Sequence, residues 1–426
     1  RDNCANGVGG LPTDCRGADT LAEFNRQWPK TVAAILAMNP DVLGFNEMEN
    51  DGYGPDSAIA FLVNKLNEAT APGTYAFIDA DTATGQVNAL GTDAIKVGLI
   101  YKPARVTPVG QTAVLNTPEF INGGDTAPRN RASLAQAFQQ NDNGAIFIVN
   151  VNHLKSKGSA CDLPDQGDGQ GNCNAVRTYA AQQLAAWLAT NPTGIADPDI
   201  LLIGDYNSYA QEDPITALKN AGFINLLETR LGPDAYSYVF DGQWGYLDHA
   251  LASASLNAQV SGVAEYHINA DEPSVLDYNT DFKTANLQAQ LYAPDQYRVS
   301  DHDPVVVGLN LTAPGAWFFG PVAPFPAFNT ANAGQSIPLI FSLGGNQGLN
   351  IFAPGYPKWE TIPCGSTAAV NGTNPTSSNG GLSYDPLQDR YTYPWKTEKS
   401  WAGSCRQVVV RYSNGITYRA NFNFVK

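Results

Sequence analysis

Segment 201–207, with the sequence LLIGDYN, constrains this chain more than any other part of it. A short, unbroken apolar run predicts a buried strand, and Gly204 lets the backbone turn sharply where that strand ends. Asp205 and Asn207 would then project from the end of a sheet on the same side. Burying a carboxylate costs free energy unless a cation faces it. A divalent metal ion, bound together with a phosphate, would supply that cation. The alternative is an ordinary turn, because Gly, Asp and Asn are common turn residues.

Two further predicted strands deliver polar side chains in the same way. Segment 41–47 ends at Glu47, and segment 145–152 is followed by His153. Polar residues where strands end commonly build active sites, so we expect Glu47, His153 and Asp205 to lie together. The remaining predicted strands are 94–101, 134–138, 236–240, 247–252 and 304–311. Helical periodicity at 20–38, 56–70 and 175–188 alternates with these strands and predicts a layered α/β fold. Pro29 is expected either to interrupt the first helix or to start a second one.

The chain divides into regions of different composition. Its 426 residues exceed what one hydrophobic core usually serves, so two domains are expected. We assign 1–312 to a catalytic domain and 313–328, rich in proline and aromatic residues, to a linker. Residues 329–426 hold short β-prone runs between Gly, Asn and Ser clusters, which predict a small all-β, Ig-like sandwich. Its aromatic residues favour either a surface-binding or polysaccharide-binding role or an ordinary core: Tyr391, Tyr393, Trp395 and Trp401.

The composition narrows the class of protein. Hydrophobic residues make up 43% and charged residues 15%, which is typical of a globular rather than a disordered chain. Its apolar runs are much shorter than the roughly 20 residues that a membrane span needs. The formal charge of −15 argues against an ordinary basic nucleic-acid-binding surface. Divalent cations held by carboxylates can reverse that field locally, so a nucleic-acid substrate stays open.

Cysteine usage indicates an oxidising compartment. The six cysteines allow 15 pairings, and none forms a Cys-x-x-Cys motif. We expect the pairs that close local loops: Cys4–Cys15, Cys161–Cys173 and Cys364–Cys405. Disulfides of this kind are typical of secreted proteins, so we expect an extracellular location. The sequence begins at Arg1 rather than at Met, and we expect a mature or trimmed form.

A set of acids, amides and histidines suits phosphodiester cleavage: Glu47, His153, Asp205, Asn207, Asp248, Asp301 and His302. A hard cation such as Mg²⁺ needs carboxylate oxygens and polarises the phosphoryl group. One histidine can activate water while another group protonates the leaving oxygen. Candidates for holding phosphate oxygens are Arg129, Arg131, Lys155 and Lys157, with a solvated surface role as the alternative. We expect a packed or surface role for His267 and leave His249 open.

Five of these motifs occur in the order and spacing of a known family. They are Phe45-Asn46-Glu47, Asn152-His153-Leu154, Gly204-Asp205-Tyr206-Asn207, Leu247-Asp248 and Ser300-Asp301-His302. Together they resemble the endonuclease/exonuclease/phosphatase superfamily, which includes pancreatic deoxyribonuclease. Longer matches resemble its secreted bacterial branch, the ExeM-type extracellular nucleases: residues 16–19 (RGAD), 152–158 (NHLKSKG), 212–214 (EDP), 240–243 (FDGQ) and 267–273 (HINADEP). The tail is similar to small β-domains appended to secreted bacterial enzymes.

The resemblance implies a four-layer α/β sandwich, with two packed mixed sheets flanked by helices and one metal-dependent site. It implies that Glu47 ligates Mg²⁺ or Mn²⁺ with Asp301 nearby. By the same resemblance His153 and His302 flank the scissile phosphate. The other implied roles are nucleophile and phosphate positioning for Asp205 and Asn207, orientation of His302 for Asp248, phosphate contact for Arg131, and orientation of His153 for Asp93.

Two local features stand apart from that resemblance. The family's first strand carries a site asparagine, and we find no counterpart, so we expect the chain to start after that strand or residues to precede Arg1. The loop between Cys161 and Cys173 holds three aspartates and three glycines, which suits either Ca²⁺ or a solvated acidic loop. Those aspartates are Asp162, Asp165 and Asp168.

The sequence raises three candidate functions. The first is a secreted, divalent-metal-dependent nuclease that cleaves DNA, with RNA as a further substrate, without sequence preference. The second is a phosphoesterase acting on another substrate such as a phospholipid headgroup, which would want an exposed apolar hairpin, and none is evident. The third is a non-enzymatic binding protein, which the catalytic set argues against. We expect a monomer with no membrane span.

Overall fold

The computed structural model describes residues 17–312, 320–323, 325–343, 345–366 and 368–426. The predicted Cys4–Cys15 pair, Arg16 of the RGAD motif and part of the predicted linker (313–319 and 324) lie outside those residues. Within them the chain forms two units. The first comprises Arg1–Val106, Gln111–Ala137 and Phe147–Asn310, and the second comprises Thr107–Gly110, Phe138–Ile146 and Leu311–Lys426, counting only described residues. The boundaries predicted at 312 and 328 stay predictions.

The helices and strands follow one another along the described chain. The helices are α1 (Leu21–Met38), α2 (Ala58–Ala69), α3 (Ala80–Thr84), α4 (Pro118–Asn122), α5 (Asn174–Leu188), α6 (Asp213–Asn220), α7 (Leu226–Arg230), α8 (Ala254–Asn257) and α9 (Ala285–Leu291). The strands up to residue 312 are β1 (Val42–Glu49), β2 (Ala76–Phe77), β3 (Ile95–Tyr101), β4 (Val106–Leu115), β5 (Ser133–Gln140), β6 (Ile146–His153), β7 (Ile200–Asp205), β8 (Ile224–Asn225), β9 (Tyr238–Phe240), β10 (Gln243–Gly245), β11 (Asp248–Ala252), β12 (Val260–Glu265) and β13 (Val305–Leu309). The later strands are β14 (Phe328–Asn332), β15 (Ser336–Phe341), β16 (Lys358–Ile362), β17 (Asn374–Pro375), β18 (Ser377–Ser378), β19 (Ser383–Asp385), β20 (Arg390–Lys396), β21 (Ser404–Arg411) and β22 (Thr417–Val425).

A three-stranded sheet with the order β1-β3-β2 is covered on one face by α1 and α2. Helix α1 begins at Thr20, whose side chain accepts a hydrogen bond from the Glu23 backbone N–H. It continues without a break through Pro29, so the predicted interruption is wrong. A proline removes one backbone hydrogen bond, but most of a helix's stability comes from packing its apolar face, here Val32 and Ile35.

A six-stranded sheet has the order β4-β5-β6-β7-β11-β8. Strands β6 and β7 run parallel, and β11 runs antiparallel to β7, so the end of β7 lies beside the start of β11. One face of this sheet packs against the helices α4, α5 and α6. The core there includes Leu184, Leu202, Leu218 and Leu251, all fully buried. The large apolar residues of segment 201–207 are therefore what anchors the edge that carries Asp205.

The two sheets pack against each other at Gly44 of β1. A Cβ atom on Gly44 would lie 2.5 Å from Ile203 Cδ1 and 2.8 Å from Val151 Cγ2. Only a residue without a side chain lets β1 come this close to β6 and β7. The order of layers is helices, sheet, sheet, helices, which confirms the predicted four-layer α/β fold.

The C-terminal region is strand-rich, as predicted. It forms a sheet with the order β14-β22-β21-β16-β17 and a second sheet with the order β15-β20-β18, in which β19 also pairs with β20. The four aromatic residues considered for surface binding are all buried: Tyr391, Tyr393, Trp395 and Trp401. They build the core of this region, so a binding role for it cannot depend on them.

The disulfides Cys161–Cys173 and Cys364–Cys405 are formed as predicted. In the part of the chain that the structure describes, no helix combines the length and apolar character required to cross a bilayer.

Candidate active site

Three predicted site residues form a row across neighbouring strands. His153 of β6 lies in register with Asp205 of β7, and Asp205 lies in register with Asp248 of β11. His153 Nε2 is 3.6 Å from Asp205 Oδ2. Both side chains are almost completely buried, so their mutual orientation is fixed by the sheet.

Gly204 lies within β7 and pairs with Asn152 of β6, so the predicted turn at Gly204 is wrong and the strand continues to Asp205. The glycine is required for close pairing instead, because its φ of +126° favours glycine and a Cβ atom there would overlap the Asn152 carbonyl oxygen. Beyond β7, Asn207 has a φ of 48° and bonds to both oxygens of Asp205. Its backbone N–H donates to Oδ1 at 2.7 Å, and its side-chain Nδ2 donates to Oδ2 at 2.9 Å. Asn207 therefore orients the Asp205 carboxylate in this structure.

Glu47 reaches the site from the other sheet through a β-bulge. The prediction that its strand ends at Glu47 is wrong, because β1 continues to Glu49. The register with β3 shifts between Phe45 and Met48, and Glu47 itself has a φ of 59°. A bulge redirects a side chain, and this one places Glu47 Oε1 3.8 Å from His153 Nε2 with the Glu47 side chain 67% exposed.

The neighbouring Asn46 connects the bulge to the six-stranded sheet. With its amide oriented to satisfy both neighbours, Asn46 accepts a hydrogen bond from the Asp205 backbone N–H at 2.7 Å. In that orientation it also donates to the Asn152 carbonyl oxygen at 3.1 Å. The Phe45-Asn46-Glu47 motif thus supplies one structural residue and one exposed carboxylate.

His302 is held at the opposite side of Asp205 by Asp248. The His302 Nδ1 atom is 2.6 Å from Asp248 Oδ2, and Ser237 Oγ donates to the same oxygen at 2.8 Å. The loop that carries His302 is tied down by Asn269, which is 1% exposed. Asn269 Nδ2 donates to the His302 carbonyl oxygen at 2.7 Å, and its Oδ1 accepts from the Val299 N–H at 2.9 Å. Asp248 thus lies where it could orient His302, and that role stays a prediction.

The pKa values of two ionisable groups in the site are strongly shifted from their ordinary values. Burial raises the pKa of Asp205 to about 7, with the Asp248 carboxylate adding to the rise and His302 opposing it. For His302, burial works to lower the pKa, but the carboxylates of Asp248, Asp205 and Asp301 outweigh it and raise the pKa to about 10. Near neutral pH the arrangement therefore combines a cationic imidazole with a carboxyl group poised to exchange a proton.

Arg131 lies at the site and is bonded to Asp93, while the orientation of His153 by Asp93 stays a prediction. Asp93 Oδ2 accepts from Arg131 Nε at 2.8 Å, and Arg131 Nη1 is 3.4 Å from His153 Nε2. Arg131 therefore bonds to Asp93 and also lies close to His153. Of the other basic candidates, Lys157 Nζ is bound by Glu212 at 2.6 Å, and Arg129 is bound by Asp125 at 2.6 Å.

The residues at this edge fit a Mg²⁺ ion that keeps most of its waters. Among the described residues there is no group of three or more His, Cys, Asp or Glu side chains that could enclose a metal ion. Mg²⁺ is usually bound by one or two carboxylates together with substrate phosphates, and the exposed Glu47 carboxylate suits that pattern. Asp301, the second predicted ligand, is exposed and close enough to His302 to raise its pKa. Its role as a ligand stays a prediction.

The acidic loop between Cys161 and Cys173 has separate partners for each carboxylate. Asp162 accepts from Thr126 and Arg129, whereas Asp165 accepts from the Gly167 N–H and Asp168 from Gln170. The three side chains do not form a common ligand set, so the prediction of a Ca²⁺ ion gains no support from their positions.

The two remaining histidines have structural surroundings. His249 is buried, with Nε2 2.7 Å from the Ser208 carbonyl oxygen, and burial lowers its pKa to about 4. His267 stacks on Tyr236 with 4.0 Å between ring centroids, and its Nδ1 is 2.9 Å from Asp303 Oδ2. The prediction of a packed or surface role for His267 agrees with these contacts.

Sequence reasoning missed three residues that hold the site together: Asn46, Ser237 and Asn269. Asn46 and Asn269 belong to the recognised motifs FNE and HINADEP, but their contacts connect segments far apart in the chain. Their membership of these two motifs is the only signal in the sequence that could have identified them. Ser237 directly precedes β9 in a segment of ordinary composition, and nothing in the sequence distinguishes it.

Several solved structures are similar in fold. A mannosyl-6-phosphatase of Bacteroides thetaiotaomicron is 16% identical with a TM-score of 0.44, and the alignment covers 69% of this chain and 96% of that one. The catalytic domain of human Nocturnin with a bound sulfate anion is 17% identical with a TM-score of 0.39, covering 56% and 78%. TDP2 of D. rerio complexed with single strand DNA product is 14% identical with a TM-score of 0.38, covering 67% and 92%. Identities this low assign no substrate to this chain.

No curated protein matches the chain. The endonuclease/exonuclease/phosphatase family matches residues 8–302, which is more than half of the chain and includes every residue of the site. The chain therefore belongs to the endonuclease/exonuclease/phosphatase family, whose members hydrolyse phosphoester bonds and generally depend on a divalent metal.

Proposed function

We propose that this protein is a secreted, divalent-metal-dependent nuclease of the ExeM type. It hydrolyses phosphodiester bonds of DNA, with RNA as a further substrate, and has no sequence preference. The observation that supports this most is the convergence of Glu47, His153, Asp205 and His302 at one edge of the two packed sheets. Residues from both sheets meet there, although 255 positions separate Glu47 from His302 in the sequence.

Each side chain has a role that follows from its contacts. A Mg²⁺ or Mn²⁺ ion at Glu47 would polarise the phosphoryl group and offset its developing charge. Asp205, with a pKa of about 7, accepts the proton of the attacking water. His302 is held through Nδ1 by Asp248, which leaves Nε2–H to donate to a phosphoryl oxygen. Arg131 and His153 stand on the other side of Asp205 as further donors.

Secretion is supported by the chemistry of the chain outside the site. The two described disulfides, Cys161–Cys173 and Cys364–Cys405, are of a kind that persists in oxidising compartments. A formal charge of −15 also favours solubility of a monomer outside the cell. We propose the extracellular medium as the location and leave the partner of the C-terminal region to binding experiments with polysaccharides and cell surfaces.

The nuclease proposal is tested by replacing His153 with alanine. We expect supercoiled plasmid to be cleaved by the wild type with Mg²⁺, and cleavage by His153→Ala to fall at least about 100-fold, since the loss of one positioned donor to the developing phosphoryl charge costs roughly that much. The matched control is Asp165→Asn in the acidic loop, whose cleavage should equal that of the wild type. Undiminished cleavage by a folded His153→Ala protein would remove the proposed site.

A phospholipid headgroup is the second candidate substrate, because the structure has an exposed aromatic hairpin that the sequence did not reveal. Phe240 of β9 and Trp244 of β10 are 64% and 58% exposed. Exposed aromatic side chains suit membrane interfaces. Hydrolysis of phosphatidylcholine vesicles in the absence of any cleavage of DNA or RNA would favour this candidate over the nuclease.

A further inference from the structure

The β9–β10 hairpin presents two exposed aromatic side chains on opposite faces. Asp241 and Gly242, both with positive φ, form its two-residue turn. The pairing places Phe240 opposite Gln243 and Val239 opposite Trp244. Side chains of paired residues share a face, and successive residues alternate, so Phe240 and Trp244 point to different sides of the hairpin.

The Phe240 face leads directly to the catalytic histidine. Tyr238 lies two residues earlier on the same face, with its ring nearly parallel to that of Phe240 at a centroid distance of 6.4 Å. The Tyr238 ring in turn is 4.5 Å from the imidazole of His302. The rings thus form a row that starts at His302 and ends at the exposed Phe240.

A glycine in the hairpin keeps this face continuous with the rest of the site. Gly245 is paired with Tyr238, and a Cβ atom on Gly245 would lie 2.8 Å from the ring of Tyr209. Tyr209 follows the Asp205–Asn207 turn by two residues, so the hairpin packs against the segment that carries the catalytic carboxylate. This packing fixes the hairpin that carries Phe240 in position relative to Asp205.

The Trp244 face has a different environment. Trp244 packs edge-on against Tyr236, with 4.5 Å between ring centroids and an interplanar angle of 74°. Tyr236 stacks on His267, which is bound to Asp303 and is not part of the catalytic row. Two aromatic residues of similar exposure therefore differ in whether they adjoin the site.

The composition of the hairpin favours a nucleobase over a lipid bilayer. Its tip carries the carboxylate of Asp241, which would have to enter the bilayer first. Because Phe240 and Trp244 face opposite ways, they cannot form one apolar surface for insertion.

We propose that Phe240 stacks with an unpaired nucleobase close to the scissile phosphate, which makes single-stranded nucleic acid the better substrate of this site. The inference rests on the proposed nuclease function. Every base offers a π-face, so such stacking is independent of sequence, and a paired base in a duplex has both faces covered. The contact holds the strand with its phosphate beside His302 and Asp205.

The test is a double-mutant cycle between the protein and the substrate. The substrate is a single-stranded thymidine oligonucleotide in which one phosphodiester is cleavable between resistant phosphorothioate linkages. In a matched set, each thymine near that bond is replaced in turn by an abasic tetrahydrofuran. The proteins are the wild type, Phe240→Ala and Trp244→Ala, assayed for kcat/KM with Mg²⁺.

We expect one abasic position to lower kcat/KM of the wild type by about 5- to 150-fold, the usual effect of losing one base–aromatic stack. The same abasic position should have little effect on Phe240→Ala, whereas Trp244→Ala should keep the sensitivity of the wild type. If each abasic position lowers kcat/KM of Phe240→Ala by the same factor as it lowers kcat/KM of the wild type, the two changes are not coupled and the inference is overturned. The nuclease function would remain intact in that case.

Two further outcomes separate the inference from its rivals. If the wild type cleaves no DNA or RNA oligonucleotide at all, the proposed function fails and the inference fails with it. If both Phe240→Ala and Trp244→Ala lose sedimentation with phosphatidylcholine vesicles, and the cycle shows no coupling, the hairpin is a membrane contact instead.

Discussion

Strand β7 has a carboxyl group at each end, almost completely buried for Asp205 and half-buried for Asp197, and only Asp205 is equipped for chemistry. Asp205 closes the strand at one end, and Asp197 precedes it at the other, where it lines a cavity of about 290 Å³ with Leu188, Pro198 and Ile200. Burial raises the pKa of both groups, to about 7 for Asp205 and about 6 for Asp197. A raised pKa alone therefore does not distinguish the two ends of the strand.

Their partners do distinguish them. Asp205 is bonded by both donors of Asn207 and lies beside His153, His302 and Asp248. Asp197 accepts a hydrogen bond from the Asp199 N–H and lies near the Asp199 carboxylate. A raised pKa marks a catalytic candidate only when groups that can bind and donate to a substrate converge on it.

The largest expected effect comes from neutralising each carboxylate in turn. Asp205→Asn should lower kcat on DNA by about 100- to 10,000-fold, because the group that accepts the proton of water is lost. Asp197→Asn should leave kcat and KM within about twofold of the wild type. Steady-state cleavage of an oligonucleotide measures both variants, and a loss of activity in Asp197→Asn would contradict the functional difference between the two ends of β7.

The next effect concerns the partner of His302. Asp248→Asn should lower kcat by about 10- to 100-fold with a smaller change in KM, because the imidazole loses the carboxylate that fixes its orientation. Ser237→Ala removes only a hydroxyl donor to the same oxygen and should cost less. A role in folding alone would instead lower the thermal stability of Asp248→Asn and leave kcat per folded molecule unchanged.

A third prediction uses His249, a buried histidine beside the site but without its chemistry. Its folded-state pKa of about 4 is below the ordinary 6.5, so its contribution to stability is fully present above pH 6.5 and is lost as the pH falls toward 4. The loss should be on the order of 3 kcal/mol. Denaturant unfolding of the wild type and His249→Gln across this range measures it, and parallel stability curves would refute it.

The smallest effect is a gain of stability at the other end of β7. The pKa of Asp197 is raised, so its favourable contribution is present below the ordinary 3.8 and is lost as the pH rises through about 6. Asp197→Asn keeps an acceptor for the Asp199 N–H and should be more stable than the wild type by about 1 kcal/mol at pH 8, a value reduced for solvent screening. The gain should vanish near pH 4 in thermal unfolding, and an equal gain at both pH values would rule out titration as its cause.

The sequence predicted the layers and the catalytic edge because both depend on local patterns. The apolar run before Gly204 and the helical periodicity of α5 show directly in the residues, and the position of His153 beside Asp205 follows from two strand ends. The bulge at Glu47 could not be predicted, since it depends on the pairing of β1 with β3. The contact between Asp93 and Arg131 and the anchoring of His302 by Asn269 likewise join residues that only the folded chain brings together.

The left-handed backbone at Glu47 has a consequence for attempts to make this protein more heat-tolerant. A non-glycine residue at a φ of 59° is strained by roughly 1 kcal/mol, and glycine would relieve that strain. Selection for thermal tolerance alone would therefore favour replacement of Glu47 by glycine, and the carboxylate that the bulge places at the site would be lost. Directed evolution of this protein needs an activity screen for substitutions of Glu47, because thermal stability and catalytic activity favour different amino acids at that position.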